Sequence, residues 1–270
     1  MTIYYLLLLF AIALGFLLSK KEKGKIIYVV IMGLALFKVS AFRRATGYDY
    51  NLYGGWYYDY FFKSIDALTT EKVEKGFSIP FKIMSRVFFF FFSMFIVIAL
   101  VITLLVMVYI YKKSSNVFIS VSAFLCFGLF FNSMNFMRQI IASAIVMYAL
   151  RYIESKQFLR FLALVLFAST IHFSALLMIP FFFILQIRMN YIVLGIYSAF
   201  GIAAYMNSNA IMDFVTKYVY KSYDPTNNIE VTKGLTPVYL IAFAIFFILA
   251  FLFRKDLIKK RAFNSILINC

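Results

Sequence analysis

Apolar residues run along this chain in long blocks, and the few charged or strongly polar residues fall between those blocks or at one end of them. Taking the flanking charges as edges predicts membrane helices over Ile3–Leu18, Ile26–Phe42, Val87–Tyr111, Val117–Phe131 and Met137–Ile153. Each is near the roughly 20 residues that a crossing needs. The run Phe158–Ile187 is too long for one comfortable crossing, and His172, with Ser169, Thr170 and Ser174 around it, marks a turn between two short helices. Tyr191–Met206 and Val238–Phe253 bring the expected total to about nine spans.

Composition strengthens this picture. The chain is 64% hydrophobic with 35 Phe and 20 Tyr, more apolar surface than a soluble domain of this length can hide. The predicted fold is therefore all-α, a polytopic transmembrane helical bundle in which residues 1–270 form a single integral membrane domain. A net charge of +16 would point to nucleic acid in a soluble protein. Here the Lys and Arg sit largely in short loops, so membrane orientation accounts for much of the charge and no nucleic-acid partner is expected.

Alternating the spans from an outside N-terminus sends Lys20, Lys21, Lys112, Lys113, Lys156, Arg160, Arg188, Arg254, Lys255 and Lys259 to the cytoplasm, the positive-inside pattern. The same alternation sends residues 43–86, residues 132–139, the His172 turn and residues 207–237 outside. The first block has no basic stretch before it and no small-residue cleavage site after it, so it reads as a retained span. Cys126 and Cys270 form neither a disulfide framework nor a metal cluster, and no group of His, Cys and carboxylates has metal-ligand spacing. No metal or other cofactor is expected.

The candidate chemistry lies on the outer side. An Arg or Asp at the centre of a membrane helix costs roughly 2.5 to 3.5 kcal/mol, which keeps such residues near an interface, a cavity or a partner. In the stretch Asn132 to Gln139, Asn132 or Asn135 can cap the fifth span, and Arg138 then falls in its first turn. A cation there opposes the helix dipole and calls for an anion; the plain alternative is a snorkelling interface anchor. His172 is the only histidine, a turn residue or a base. Arg43 and Arg44 follow the second span, and Gly47 permits a tight turn that holds Asp49 near them. Trp56, Tyr57, Tyr60, Phe61, Ser64, Ile65 and Leu68 recur near helical spacing, as in a helix lying in the headgroup plane, with a loop after it. Tyr50, Tyr53, Trp56 and Tyr57 can serve as a sugar-stacking platform or as an aromatic belt.

Four short motifs, taken together, resemble the EpsG family, the Wzy-like membrane proteins that polymerise exopolysaccharide and O-antigen repeat units. They are Arg43, Arg44, Gly47, Asp49, Tyr50 and Tyr53; Glu74, Gly76 and Phe77; Asn135, Arg138, Gln139 and Ala142; and His172, Ser174, Ala175 and Leu176. The resemblance is carried by residues 3–187, with the remainder similar in hydropathy alone.

It implies a GT-C-like polymerase in a bacterial cytoplasmic membrane, joining polyprenyl-pyrophosphate-linked oligosaccharides at the outer face for exopolysaccharide, capsule or O-antigen. Other polysaccharide-assembly membrane proteins would be its partners. A pyrophosphate leaving group needs cations, for which Arg43, Arg44 and Arg138 are candidates, and Asn135, Gln139, Tyr50 and Tyr53 belong to the same binding set. The acceptor hydroxyl needs a base, with Asp49, Glu74 and His172 all open. Two other classes use the same residues: a flippase for lipid-linked sugars, or an acyltransferase relying on His172. Family members usually carry further spans, so the expectation is of a shortened chain lacking a C-terminal wall.

Overall fold

The computed structural model describes residues 2–18, 22–47, 49–65, 67, 73–88, 90–187 and 191–214. Every regular element among them is helical, because a backbone in lipid must satisfy its own hydrogen bonds. In chain order these are α1 (Thr2–Leu18), α2 (Glu22–Ala41), α3 (Tyr50–Phe62), α4 (Lys75–Val87), α5 (Phe92–Lys113), α6 (Val117–Cys126), α7 (Leu129–Asn135), α8 (Met137–Glu154) and α9 (Phe158–Ser169). A 3-10 turn (Phe173–Leu177), α10 (Met178–Ile184), α11 (Tyr191–Met206) and α12 (Ser208–Phe214) follow.

Contacts divide the chain into residues 1–179 and 180–270. In the second unit, Tyr197 OH donates to Ile184 O at 3.4 Å and Asn207 Nδ2 to Ala203 O at 2.8 Å. The expected span 238–253 and most of the second outer segment, 207–237, lie outside the described residues, although α12 covers the start of that segment.

The first unit is built around α2 and α5. On α2 the buried residues Tyr28, Val29, Met32 and Leu36 recur three and four apart. On α5, Met94, Phe95, Ile98, Ala99, Ile102, Val106 and Ile110 do the same, so each helix turns one stripe to the core. α8 joins this pair through Tyr148, whose hydroxyl donates to Leu105 O at 2.8 Å. Asn116 starts α6 by accepting the Phe118 and Ile119 N–H groups at 3.1 and 3.2 Å.

α2 and α5 are long and apolar enough to cross a membrane, and α6 with α7 gives a third if that bent pair is one span. α1, α9, residues 173–184 and residues 195–206 are shorter apolar helices. The protein is therefore a multi-pass membrane protein with two to three candidate spans among the described residues.

Three expectations are corrected. The block Val117–Phe131 is not one helix: it breaks at Phe127–Gly128, where Gly128 takes a left-handed φ of +69°, and α6 and α7 meet at 57°. The block starting at Val87 starts a helix at Phe92, because Phe88 is extended and Val87 ends α4. The segment 43–86, expected outside as one helix followed by a loop, is instead two helices, α3 and α4, packed on each other. Lys82 of α4 fastens them by donating to Tyr60 O at 2.8 Å and to Lys63 O, at the C-terminal end of α3 where carbonyls lack helical partners. The turn expected at His172 is present between α9 and the 3-10 segment.

Candidate functional site

Glu74 stands immediately before α4 in extended conformation, and its backbone carbonyl accepts the Phe77 and Ser78 N–H groups at 3.0 Å each. Two residues on, the Gly76 N–H donates to Thr170 O at 2.8 Å. A Cβ on Gly76 would stand 2.2 Å from Thr170 Oγ1 and 2.6 Å from Thr170 O, so only glycine lets the start of α4 dock on the turn after α9.

That docking brings the Glu74 carboxylate to three partners. Oε2 accepts from Arg138 Nη1 at 2.5 Å, Oε1 accepts the Phe173 N–H at 3.0 Å, and His172 Nδ1 lies 3.3 Å from Oε1. The last is an ion-pair distance rather than a hydrogen bond. Side-chain exposure is 13% for Glu74, 18% for Arg138 and 17% for His172. Burial alone would push the Glu74 carboxyl up, but the His172 ring, the Phe173 and Glu74 N–H groups and Arg138 outweigh it and bring the carboxyl down from 4.5 to about 2.

Arg138 is in the first turn of α8, where the dipole disfavours a cation, and the anion that answers it is Glu74. Its guanidinium carbon lies 5.2 Å from the Trp56 ring centroid and 5.9 Å from that of Phe77. Tyr53 is buried and edge-on to Trp56 at 5.3 Å, close enough to the same guanidinium for its charge to oppose the upward push of burial on the Tyr53 hydroxyl. Asp49, just before α3, is part-buried. Desolvation pushes its carboxyl up and Arg138 pulls it back, and among the described residues no donor bonds its side chain.

Asp49, Tyr53, Glu74, Arg138 and His172 thus gather around one half-buried guanidinium. The other predicted residues do not join them. Arg43, 7% exposed, faces the protein: Nη2 donates to Met134 O at 2.9 Å, Nη1 reaches Ser40 Oγ at 3.3 Å, and the group lies 4.4 Å over Phe95. Burial pulls its pKa down to about 10, against the opposing effect of Tyr50, Tyr53 and Tyr4, and it stays charged at neutral pH. Arg44 is exposed, 5.8 Å over the Phe92 ring, and Gln139 is exposed.

Neither asparagine caps α8. Asn135 ends α7, and the position before α8 is Phe136. The Asn135 side chain instead packs on Gly47, whose φ of +102° and 2.3 Å clearance for a Cβ both demand glycine. Tyr50 stacks on Phe95 at 4.7 Å. Tyr57 is a core residue with its hydroxyl on Phe88 O and 3.0 Å from Ser93 Oγ, so the four-ring platform reduces to Trp56, the half-buried ring beside Arg138.

Sequence reasoning did not single out Thr170 O and the Phe173 N–H, because backbone groups have no sequence signature. Among the described residues no group of three His, Cys, Asp or Glu is placed to hold a metal.

Because the Arg43 guanidinium hydrogen-bonds the protein and the exposed Arg44 side chain has no hydrogen bond among the described residues, their variants should separate. Arg43→Met is expected to lower the melting temperature in detergent, since it leaves the Met134 carbonyl unpaired at about 1–3 kcal/mol. Arg44→Ala should leave that temperature unchanged.

The fold and cluster define a multi-pass helical membrane protein with an arginine, two carboxylates, a histidine and an aromatic wall gathered at one set of helix ends. A family model for the EpsG family matches residues 26–270, and the chain belongs to that family. Membership gives it a role in exopolysaccharide biosynthesis. The match begins within α2 and continues past residue 187, further along the chain than the four motifs alone indicate. Neither a curated protein nor a solved structure matches the chain.

Proposed function

We propose that the chain is a membrane polysaccharide polymerase that joins polyprenyl-pyrophosphate-linked oligosaccharide repeat units at the outer face of a bacterial cytoplasmic membrane, with its N-terminus outside. The observation carrying this reading is the Arg138–Glu74–His172 cluster beside Trp56 and Asp49, in a chain of a polysaccharide-biosynthesis family.

A hydroxyl of the acceptor unit attacks the anomeric carbon of the donor. The bond from that carbon to the pyrophosphate oxygen breaks, its electron pair leaves with the pyrophosphate, and the hydroxyl proton passes to a base. Arg138 is the phosphate ligand: a guanidinium offers five N–H donors, and Glu74 and the aromatic rings fix its plane. The exposed Arg44 supplies a second cation.

Of the three acids and bases open at the start, Glu74 is the poorest base, since it is held near a pKa of 2 with donors on both oxygens. Asp49, its carboxyl pushed up and not bonded by a described donor, is the general base in this reading. Glu74 and His172 are positioning residues that hold Arg138. Trp56 offers the sugar a ring face.

Asp49→Asn is expected to abolish most polymer while leaving the melting temperature near that of the parent. Arg138→Lys keeps the charge but loses the fork, and should cut polymer by at least about tenfold. The break at Gly128 is the feature a flippase reading would use, since transporters bind substrate at broken helices.

The lipid-linked oligosaccharide profile of cells with and without the protein separates the two. Accumulation of single repeat units on the outer leaflet supports a polymerase, and retention on the inner leaflet overturns it. Topology is checked with single cysteines at Asn135, Thr170, Lys113 and Lys156 after replacing Cys126 and Cys270. An impermeant thiol reagent should label the first two in intact cells, and labelling at Lys113 instead would reverse the orientation.

A further inference from the structure

Helix α4 turns Ser and Lys inward beside the core residues Phe77 and Phe81, and turns an aliphatic stripe outward. Its polar residues Ser78, Lys82 and Ser85 are 0%, 7% and 1% exposed and face the protein, whereas Ile79, Ile83 and Val87, one turn apart, are 38%, 58% and 66% exposed. A helix bordering water shows the reverse arrangement, with its apolar stripe inward. Here even an ammonium is turned inward, with Lys82 Nζ satisfied by Tyr60 O and Lys63 O and Ser85 Oγ donating to Lys82 O at 2.8 Å. The outward stripe continues past the helix into Phe88 and Phe90, 46% and 76% exposed. An outward stripe this apolar calls for a medium of low polarity against α4.

We infer that α4 is seated in the membrane interface, with Ile79, Ile83 and Val87 among lipid acyl chains and Lys75 and Arg86 at the level of lipid phosphates. Length and charge choose this occupant. At 1.5 Å per residue α4 spans only about 20 Å, too short for a hydrocarbon core of about 30 Å, so it lies in the interface instead of crossing. The stripe is bracketed by Lys75 at its start and Arg86 at its end, the pattern that fits an apolar face sunk below a layer of phosphates.

Glu74 caps the same helix, so the Arg138 cluster is held at headgroup depth, where a phosphate attached to a lipid lies. The seat of α4 does not depend on the polymerase reading.

The test uses the full chain with Cys126 and Cys270 replaced by Ser and a spin label on single cysteines at Ile79, Ile83 or Val87. The exposed Asp59 of α3 serves as a polar control. The protein is reconstituted in vesicles of phosphatidylcholine and phosphatidylglycerol. All three α4 positions should collide several-fold more with oxygen, which partitions into lipid, than with a water-soluble nickel chelate, and Asp59 should show the opposite order.

Preference for nickel at the α4 positions would overturn the inference by placing the stripe in water. Protection from both reagents would overturn it as well, because the stripe would then be covered by protein, either residues 215–270 or a second copy. Three surface positions are used so that one poorly folding variant leaves two readable.

Discussion

Gly76→Ala is expected to remove nearly all polymer-forming activity and to lower stability by at least about 1–3 kcal/mol, the range for forcing extra volume into a packed site. The methyl carbon would lie 2.2 Å from Thr170 Oγ1, 2.6 Å from Thr170 O and 2.7 Å from Thr170 C. The hydroxyl could rotate away, but the carbonyl belongs to the backbone and is the acceptor of the Gly76 N–H. Relief therefore means moving α4 off the turn after α9, and that movement breaks the bond from the Phe173 N–H to Glu74 and separates Glu74 from His172. Gly55 is the control: nothing lies within 4 Å of a Cβ there, so Gly55→Ala should be neutral or slightly stabilising because alanine favours helix. Melting curves in detergent and polymer yield from equal amounts of inserted protein check both. A Gly76→Ala protein that melts with the parent would show that α4 is not held by this contact.

Much of the helical fold was legible because lipid leaves a backbone few options. Apolar blocks bounded by charge became α1, α2, α5, α8 and α9, with edges shifted by up to five residues. The break at Gly128 was hidden, since a glycine inside an apolar run scarcely alters its hydropathy while its left-handed φ redirects the chain. α4 was hidden for the opposite reason. Ser78, Lys82 and Ser85 make its sequence look polar although all three are buried, Lys82 against the end of α3.

At the site, Glu74, Arg138 and His172 were each nameable by chemistry, but their pairing spans 64 and 98 positions of chain and appears only when α4, α8 and the turn after α9 meet. Arg43 looked the equal of Arg44 and Arg138. What separates them is the carbonyl of Met134, which the letters of the sequence do not display.

Glu74→Ala is expected to be the most damaging change in the cluster, costing about 1–3 kcal/mol as when the charged acceptor of two hydrogen bonds is lost from a part-buried site. It removes the carboxylate from beside the Arg138 guanidinium and leaves the Phe173 N–H without its acceptor. Glu74→Gln should be milder, because an amide oxygen can still take the Phe173 N–H. Arg138→Ala in the Glu74→Ala background should then cost much less than in the parent, since the pair is already broken; that non-additivity is the signature of direct coupling.

The pH dependence of stability gives an independent check. Glu74 titrates near 2 in the folded protein against an ordinary 4.5, so the folded state holds the proton less tightly than the unfolded chain. The stabilisation is complete above pH 4.5 and is lost as the pH falls from there towards 2, amounting to as much as about 3 kcal/mol. The difference in melting temperature between parent and Glu74→Gln should therefore be largest near neutral pH and shrink on acidification through that window. A difference that stays constant with pH would mean that the carboxylate charge of Glu74 contributes nothing and that its oxygens act only as neutral acceptors.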